Sequence, residues 1–441
     1  MNHTEWLRNE LLQLKKLGVL QEDAIENLRQ YYGKEVKPGI NWGMVLLSII
    51  GTTLIGSGVI LILAHNWDLL SRPARTFLSF IPLLIGQSAV LFTLYRKKDS
   101  IPWKEGAGIL LFFAIGSSIA LVGQTYHIEG DPGKFVLTWM LLSAPLIFIL
   151  DSASISIFYL YGILFWTEYG RNELPFFYLF FSLLSTVAII YLLIVLKRDL
   201  FSVRSLILTW AFSIWLAPAV ACTFGGHVRG LWIVVYSSLF GSMYLCGRLF
   251  FDRMESLKKN PLRLIGYFVS LIICFILTFS DTWRDIGWDK SPRAYTWRID
   301  YTTWQMDYVL AGLLLAGFLI LAARYLHRLE LESLVLAVPL LSTSAFAASG
   351  FGPLGSWMNW IYNLLFLALG CTKIWQGIQV RRLSTLNLGM IAVMVLIMAR
   401  FFDSDLGLLT RGVIFIVLGS LFLGVNLFVS KSGFRSGRAN G

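Results

Sequence analysis

Apolar residues run in blocks of about 16 to 23 positions, separated by short polar turns, from residue 42 to residue 430. Coiled as a helix, such a block matches the roughly 30 Å hydrocarbon core of a bilayer. The pattern predicts fourteen membrane helices, at 42–64, 74–95, 106–124, 134–150, 153–168, 174–196, 205–224, 230–250, 262–280, 307–326, 333–350, 356–375, 385–402 and 408–430. The narrowest division falls at Asp151 and Ser152, where 134–168 reads either as two short spans or as one kinked or re-entrant segment. Residues 1–40 follow another rule. Leu7, Leu11 and Leu14, then Ile25 and Leu28, recur at three to four residues, Gly18 separates the two runs, and Gly33 with Pro38 ends the second. That spacing predicts an amphipathic helical hairpin ahead of the first span.

The fold class expected is therefore all-α: a polytopic membrane bundle of about fourteen helices with a small N-terminal hairpin. Its parts are the hairpin (1–40), the first four spans (41–150), the middle spans with a long outer loop at 281–305 (151–384), a final hairpin of spans (385–430) and a basic tail (431–441). Composition agrees, because 56% of the chain is apolar and only 14% is charged, against roughly 25% charge in soluble domains. That excludes a disordered chain and a disulfide scaffold.

The net charge of +11 is a topology signal. With the N-terminus inside, alternating spans put 26 of the 37 Lys and Arg on the inner side and 11 on the outer. The positive-inside rule then predicts cytoplasmic termini at both ends, and no nucleic-acid partner is needed to account for the basic residues. The four cysteines sit apart in apolar segments without CxxC spacing, so neither a metal site nor a disulfide framework is indicated. No removable signal peptide is visible at the N-terminus. Gly350, Gly352 and Gly355 spell G-x-G-x-x-G between two spans, whereas a dinucleotide site needs that pattern between a strand and a helix. No catalytic residue, cofactor or metal is expected.

Polar groups are scarce at mid-span, where Gln87, Asn363 and Asn426 are the exceptions. They gather at the outer ends of the helices instead: His65, Asn66, Trp67 and Asp68 after the first span, Gln124, His127 and Asp131 after the third, Glu168 after the fifth, His227 after the seventh, and Arg400, Asp403 and Arg411 around the last outer loop. These residues form either one candidate outer-face site or a set of separate interfacial caps. Ser48, Thr52 and Gly56 on the first span and Gly116, Ala120 and Gln124 on the third recur every four residues, giving faces where backbones can approach. The stretches 61–72 and 396–411 also match in part, with Ala64 and Asp68 spaced as Ala399 and Asp403 are, and Trp67 in the place of Phe402. A duplicated hairpin would account for this and would bring Asp68 toward Arg400 or Arg411.

Three short segments resemble a bacterial membrane-protein family known as domain of unknown function 2157. They are Tyr31-Tyr32-Gly33, Ala64-His65-Asn66-Trp67-Asp68, and Gly123-Gln124-Thr125-Tyr126-His127 followed by Gly130-Asp131-Pro132. The resemblance covers roughly the first 150 residues, and the final hairpin is similar to the end of the same or a related family. It implies a polytopic protein of the bacterial cytoplasmic (inner) membrane, and supplies no reaction, cofactor or catalytic residue.

The leading expectation for function is a non-enzymatic multi-span protein: a transporter, channel or flippase-like protein for a small or lipidic solute. A membrane glycosyltransferase-like enzyme with an outer acidic site is the alternative, and a scaffold or sensor acting through the hairpin is a third. The partners expected are membrane lipids, and a second protein or another copy of the chain through residues 1–40. A continuous polar path would favour transport, and a blind outer cavity lined by Asp68, Glu168 and Asp131 would favour an enzyme.

Overall fold

The computed structural model describes residues 69–128, 130–170, 177–224, 228–251, 260–284, 286, 301–328, 330–349, 355–380 and 382–403, with seven positions between 412 and 424. The chain divides into a unit Met1–Phe77, described from Leu69, and a compact unit Leu78–Gly441. In the first, Arg75 Nε donates to the Leu70 carbonyl at 3.0 Å and closes the turn before the first described helix.

Every regular element among the described residues is helical. In chain order these are α1 (Arg72–Arg96), α2 (Ile101–Tyr126), α3 (Pro132–Ile149), α4 (Ala153–Gly170), α5 (Phe177–Arg198), α6 (Val203–Thr223), α7 (Trp232–Phe250), α8 (Pro261–Ile276) and the short α9 (Ser280–Arg284). There follow α10 (Tyr301–Tyr325), two 3₁₀ turns (Leu326–Arg328 and Leu331–Leu336), α11 (Ala337–Ala348), α12 (Gly355–Gln379) and α13 (Leu383–Asp403). Nine segments among the described residues are long and apolar enough to cross a membrane: α1, α2, α3, α5, α6, α7, most of α10, the stretch Leu331–Ala348, and α13. Three further expected spans are present as the helices α4, α8 and α12. The span expected at 42–64 lies outside the described residues, as does most of 408–430.

The question left open at Asp151 has a geometric answer. Residues 134–168 form two helices, and Asp151 adopts a left-handed backbone with φ 49° between them. Asp tolerates that region better than most residues because its short side chain bonds locally. Pro82, Pro145 and Pro218 lie inside continuous helices, and Pro339 sits in the first turn of α11, directly after the 3₁₀ turn Leu331–Leu336.

Two apolar cores organise the compact unit. The first is centred on α4, where Ile155, Tyr159, Leu160, Ile163 and Trp166 are buried among α2, α3, α5 and α6. The second is centred on α7, the most buried of the nine candidate spans, packed by α8, α10 and α11. Contacts between α6 and α8 join them. The helices approach most closely through glycines. A Cβ at Gly266 of α8 would lie 2.4 Å from the Tyr244 nitrogen of α7, and one at Gly377 of α12 would lie 2.5 Å from the Leu386 backbone of α13. The small-residue row expected on α2 behaves otherwise: Gly116 makes room for the Trp139 ring, while Ala120 and Gln124 are exposed. Large side chains such as Leu84, Phe113, Leu183 and Leu313 are also exposed, as helices facing lipid require.

Candidate functional site

The turn between α2 and α3 builds the site locally. His127 ends α2 in the left-handed conformation, φ 49°, and the Ile128 N–H returns to the Gly123 carbonyl at 3.0 Å. Four residues later Asp131 caps α3: its Oδ1 accepts from the Gly133 and Lys134 N–H groups at 2.8 and 3.2 Å. Pro132 holds the first helical position, where no N–H is needed. Asp131 Oδ2 also pairs with Lys134 Nζ at 3.3 Å. Desolvation works to raise the Asp131 carboxyl, but the Lys134 and Gly133 N–H groups and the Lys134 ammonium outweigh it and hold it below the usual carboxylate range.

Beneath this turn α1, α2 and α3 enclose an open groove of about 1430 Å³. Its walls are apolar, from Phe80 and Leu83 on α1, Leu111 and Ile115 on α2, and Leu142 and Leu146 on α3. Gln124, His127, Asp131 and Lys134 line one end. Three further polar residues line it: Thr138 on α3, whose hydroxyl donates to the Lys134 carbonyl of its own helix at 2.8 Å, and, at greater depth, Ser118 on α2 and Gln87 on α1. The α2–α3 wall is fixed by the Trp139 indole, whose Nε1 donates to the Phe112 carbonyl at 2.7 Å.

Three of the expected outer residues, Gln124, His127 and Asp131, thus line one groove. Glu168 is exposed in the last turn of α4, which lies against the start of α3, since a Cβ at Gly133 would be 3.5 Å from that of Tyr169. Arg400 stands elsewhere. Its guanidinium lies over the Phe279 ring, 4.7 Å from the centroid, and donates to Thr278 Oγ1 at 3.4 Å. His65, Asn66, Trp67, Asp68, His227, Arg411 and the side chain of Asp403 lie outside the described residues, so the expected meeting of Asp68 with Arg411 does too.

The opposite helix ends hold two ionic clusters, visible in the sequence only as charged residues in the turns. In the first core, Glu105 of α2 accepts from Ser152 Oγ at 2.5 Å and from the Ala153 and Ser154 N–H groups at 3.0 and 2.9 Å, capping α4 from a neighbouring helix. Arg204 reaches Glu105 at 3.7 Å and Asp151 at 2.9 Å, and Arg198 reaches Asp151 at 3.0 Å. In the second core, Glu332 binds Arg263 at 2.5 Å and Lys373 at 2.6 Å, and Arg248 pairs with Glu330 and donates to the Tyr325 hydroxyl at 3.1 Å. The legible signal was the presence of Glu105, Glu330 and Glu332 in the same turns as basic residues, whereas the turn at Asp151 holds no basic residue of its own. These contacts place alternate turns of the chain together, which is the alternation that successive spans require.

Among the described residues no group of three or more His, Cys, Asp or Glu side chains could hold a metal ion. Cys222, Cys246, Cys274 and Cys371 are free thiols. No curated protein and no solved structure matches the chain. Residues 12–156, which carry α1, α2, α3 and the groove between them, match the family described as predicted membrane protein (DUF2157), a membrane-protein family of unknown function.

Proposed function

We propose that the protein binds a membrane amphiphile in the groove of α1, α2 and α3, as a flippase-like or lipid-handling protein of the bacterial cytoplasmic membrane. The observation that carries this reading is the polarity of the groove: apolar along its length, with Gln124, His127, Asp131 and Lys134 gathered at one end. An acyl chain fits the walls and a headgroup fits the polar end. The groove volume of about 1430 Å³ exceeds the roughly 300 to 1,000 Å³ of ordinary small-molecule sites. The excess of basic residues at the opposite helix ends supports an orientation with the polar end of the groove outside and both termini in the cytoplasm.

The glycosyltransferase alternative has less support, because Asp131 is spent as a helix cap and on Lys134 and is a poor general base. Action through the 1–40 hairpin, on a partner or on a second copy of the chain, concerns residues outside the described ones.

Native mass spectrometry of the full chain, released from micelles supplemented with bacterial phospholipid, tests the reading. Wild type is expected to retain at least one lipid. Gly123→Trp, which fills the groove from a position with nothing within 4 Å of its would-be Cβ, is expected to lose it. Equal retention by both forms would sink the proposal.

A further inference from the structure

Apolar walls give a lipid little preference for a groove over the bilayer, since both surroundings are equally apolar. Selectivity must come from polar groups, and two of them lie where no headgroup reaches. Ser118 lines the groove, is 4% exposed, and its Oγ has no hydrogen-bond partner. It stands six residues below Gln124 on α2, about 9 Å along the axis. Gln87 is deeper still: a Cβ at its neighbour Gly86 would lie 3.0 Å from the Leu111 Cα and 3.3 Å from the Ala114 Cβ. That level is at least another turn below Ser118, near the middle of both helices. Gln87 is exposed to the groove, and an amide left without a partner in an apolar medium is costly. Gln87 lies too far below the headgroup end for the linkage of a lipid to reach, so the donor that selects is the Ser118 hydroxyl, and a ligand that satisfies it presents an acceptor oxygen just below its headgroup.

We infer that the groove selects an ester-linked glycerolipid, an acyl carbonyl of which accepts from Ser118 Oγ while its headgroup meets Gln124, His127 and Lys134. This rests on the amphiphile reading and narrows it. A polyisoprenoid chain carries no acceptor at that depth, and alkyl chains joined by ethers carry only ether oxygens, weaker acceptors than a carbonyl. The ester lies a few bonds below the phosphate of a phospholipid, and Ser118 lies fewer than two helical turns below Gln124.

The test compares two phosphatidylethanolamines of equal chain length, one diacyl and one dialkyl ether, titrated into the full chain and read by native mass spectrometry. Wild type is expected to bind the diacyl form about tenfold more tightly, the worth of one hydrogen bond. Ser118→Ala is expected to bring the two lipids within about twofold, while Ser118→Thr, which keeps the hydroxyl, retains most of the preference. Equal binding of both lipids by wild type, still abolished by Gly123→Trp, overturns the ester assignment and leaves the amphiphile reading intact. So does a preference that survives Ser118→Ala, or tighter binding of a polyprenyl phosphate than of the diacyl lipid. Binding of either lipid that Gly123→Trp leaves unchanged overturns both readings.

Discussion

Lys373 Nζ lies 2.6 Å from Glu332 Oε1 while Arg263 holds the other oxygen of the same carboxylate at 2.5 Å, so one glutamate in a 3₁₀ turn ties α8 to α12. Lys373 is only 8% exposed and lies 4.6 Å from the centroid of the Tyr267 ring. Burying such charges is costly, and their mutual attraction offsets the cost only while every partner is present. Removing the shared acceptor leaves two cations facing each other in a poorly solvated pocket. Glu332→Ala is expected to destabilise the protein by about 3 to 5 kcal/mol, measured by reversible unfolding in mixed micelles. Adding Lys373→Met to it is expected to recover part of that loss. A Glu332→Ala protein as stable as wild type would mean that the charges are solvated.

Glu105 performs in space what a capping residue performs in sequence. The first turn of α4 receives its acceptor from α2, 47 to 49 residues earlier in the chain. Glu105→Ala removes acceptors from two backbone N–H groups and a hydroxyl, and a loss of about 2 kcal/mol is expected. Glu105→Gln keeps one acceptor oxygen and should lose less. Unfolding of the two variants side by side checks the order.

Asp151 makes the stability depend on acid. Burial raises its carboxyl, but Arg204 and Arg198 more than offset this and hold it below the ordinary range. A group depressed in the folded state adds stability above its unfolded value, about 3.9 for Asp. That stability is lost as pH falls through the folded value. The melting temperature of wild type is therefore expected to drop as pH falls below about 4. Asp151→Asn, which tolerates φ 49°, should start lower at neutral pH and show a shallower drop. Parallel slopes between pH 3 and 7 would remove Asp151 as the cause.

Helix periodicity and block length carried most of the fold, because a bilayer sets one length for every span and every described expected span is helical. The break at Asp151 stayed ambiguous in sequence because the left-handed turn there is made by an Asp, without the Gly or Pro that usually marks one. The groove was half legible. Gln124, His127 and Asp131 stood out as polar residues at a helix end, and Gln87 as a polar residue at mid-span. Ser118 gave no signal, since a lone serine in a membrane helix usually bonds its own backbone. Arg400 belongs by sequence to the same set of helix-end residues as His127, but a helix end does not fix which side of a bundle a side chain faces, and its guanidinium lies over Phe279. The Glu332 cluster was hidden for a related reason. Its members, Arg263, Glu332 and Lys373, come from three separate segments and meet only once α8 and α12 are packed.

Glycines of similar appearance in the sequence are expected to respond oppositely to the same substitution. At Gly266 an added Cβ would lie 2.4 Å from the Tyr244 nitrogen and 2.7 Å from the Phe240 carbonyl oxygen. Both are backbone atoms of α7, which cannot swing aside as a flexible side chain does. Gly266→Ala must therefore force α7 and α8 apart, and overpacking of this kind costs about 1 to 3 kcal/mol. Gly123 meets nothing within 4 Å. Gly123→Ala there adds only the helix preference of alanine, a gain of up to about 1 kcal/mol. Thermal unfolding of the two alanine variants in the same detergent should move the melting temperature in opposite directions. The Gly123 result also bears on the groove, because a loss of stability at Gly123→Ala would mean that the space beside it is filled in the folded protein.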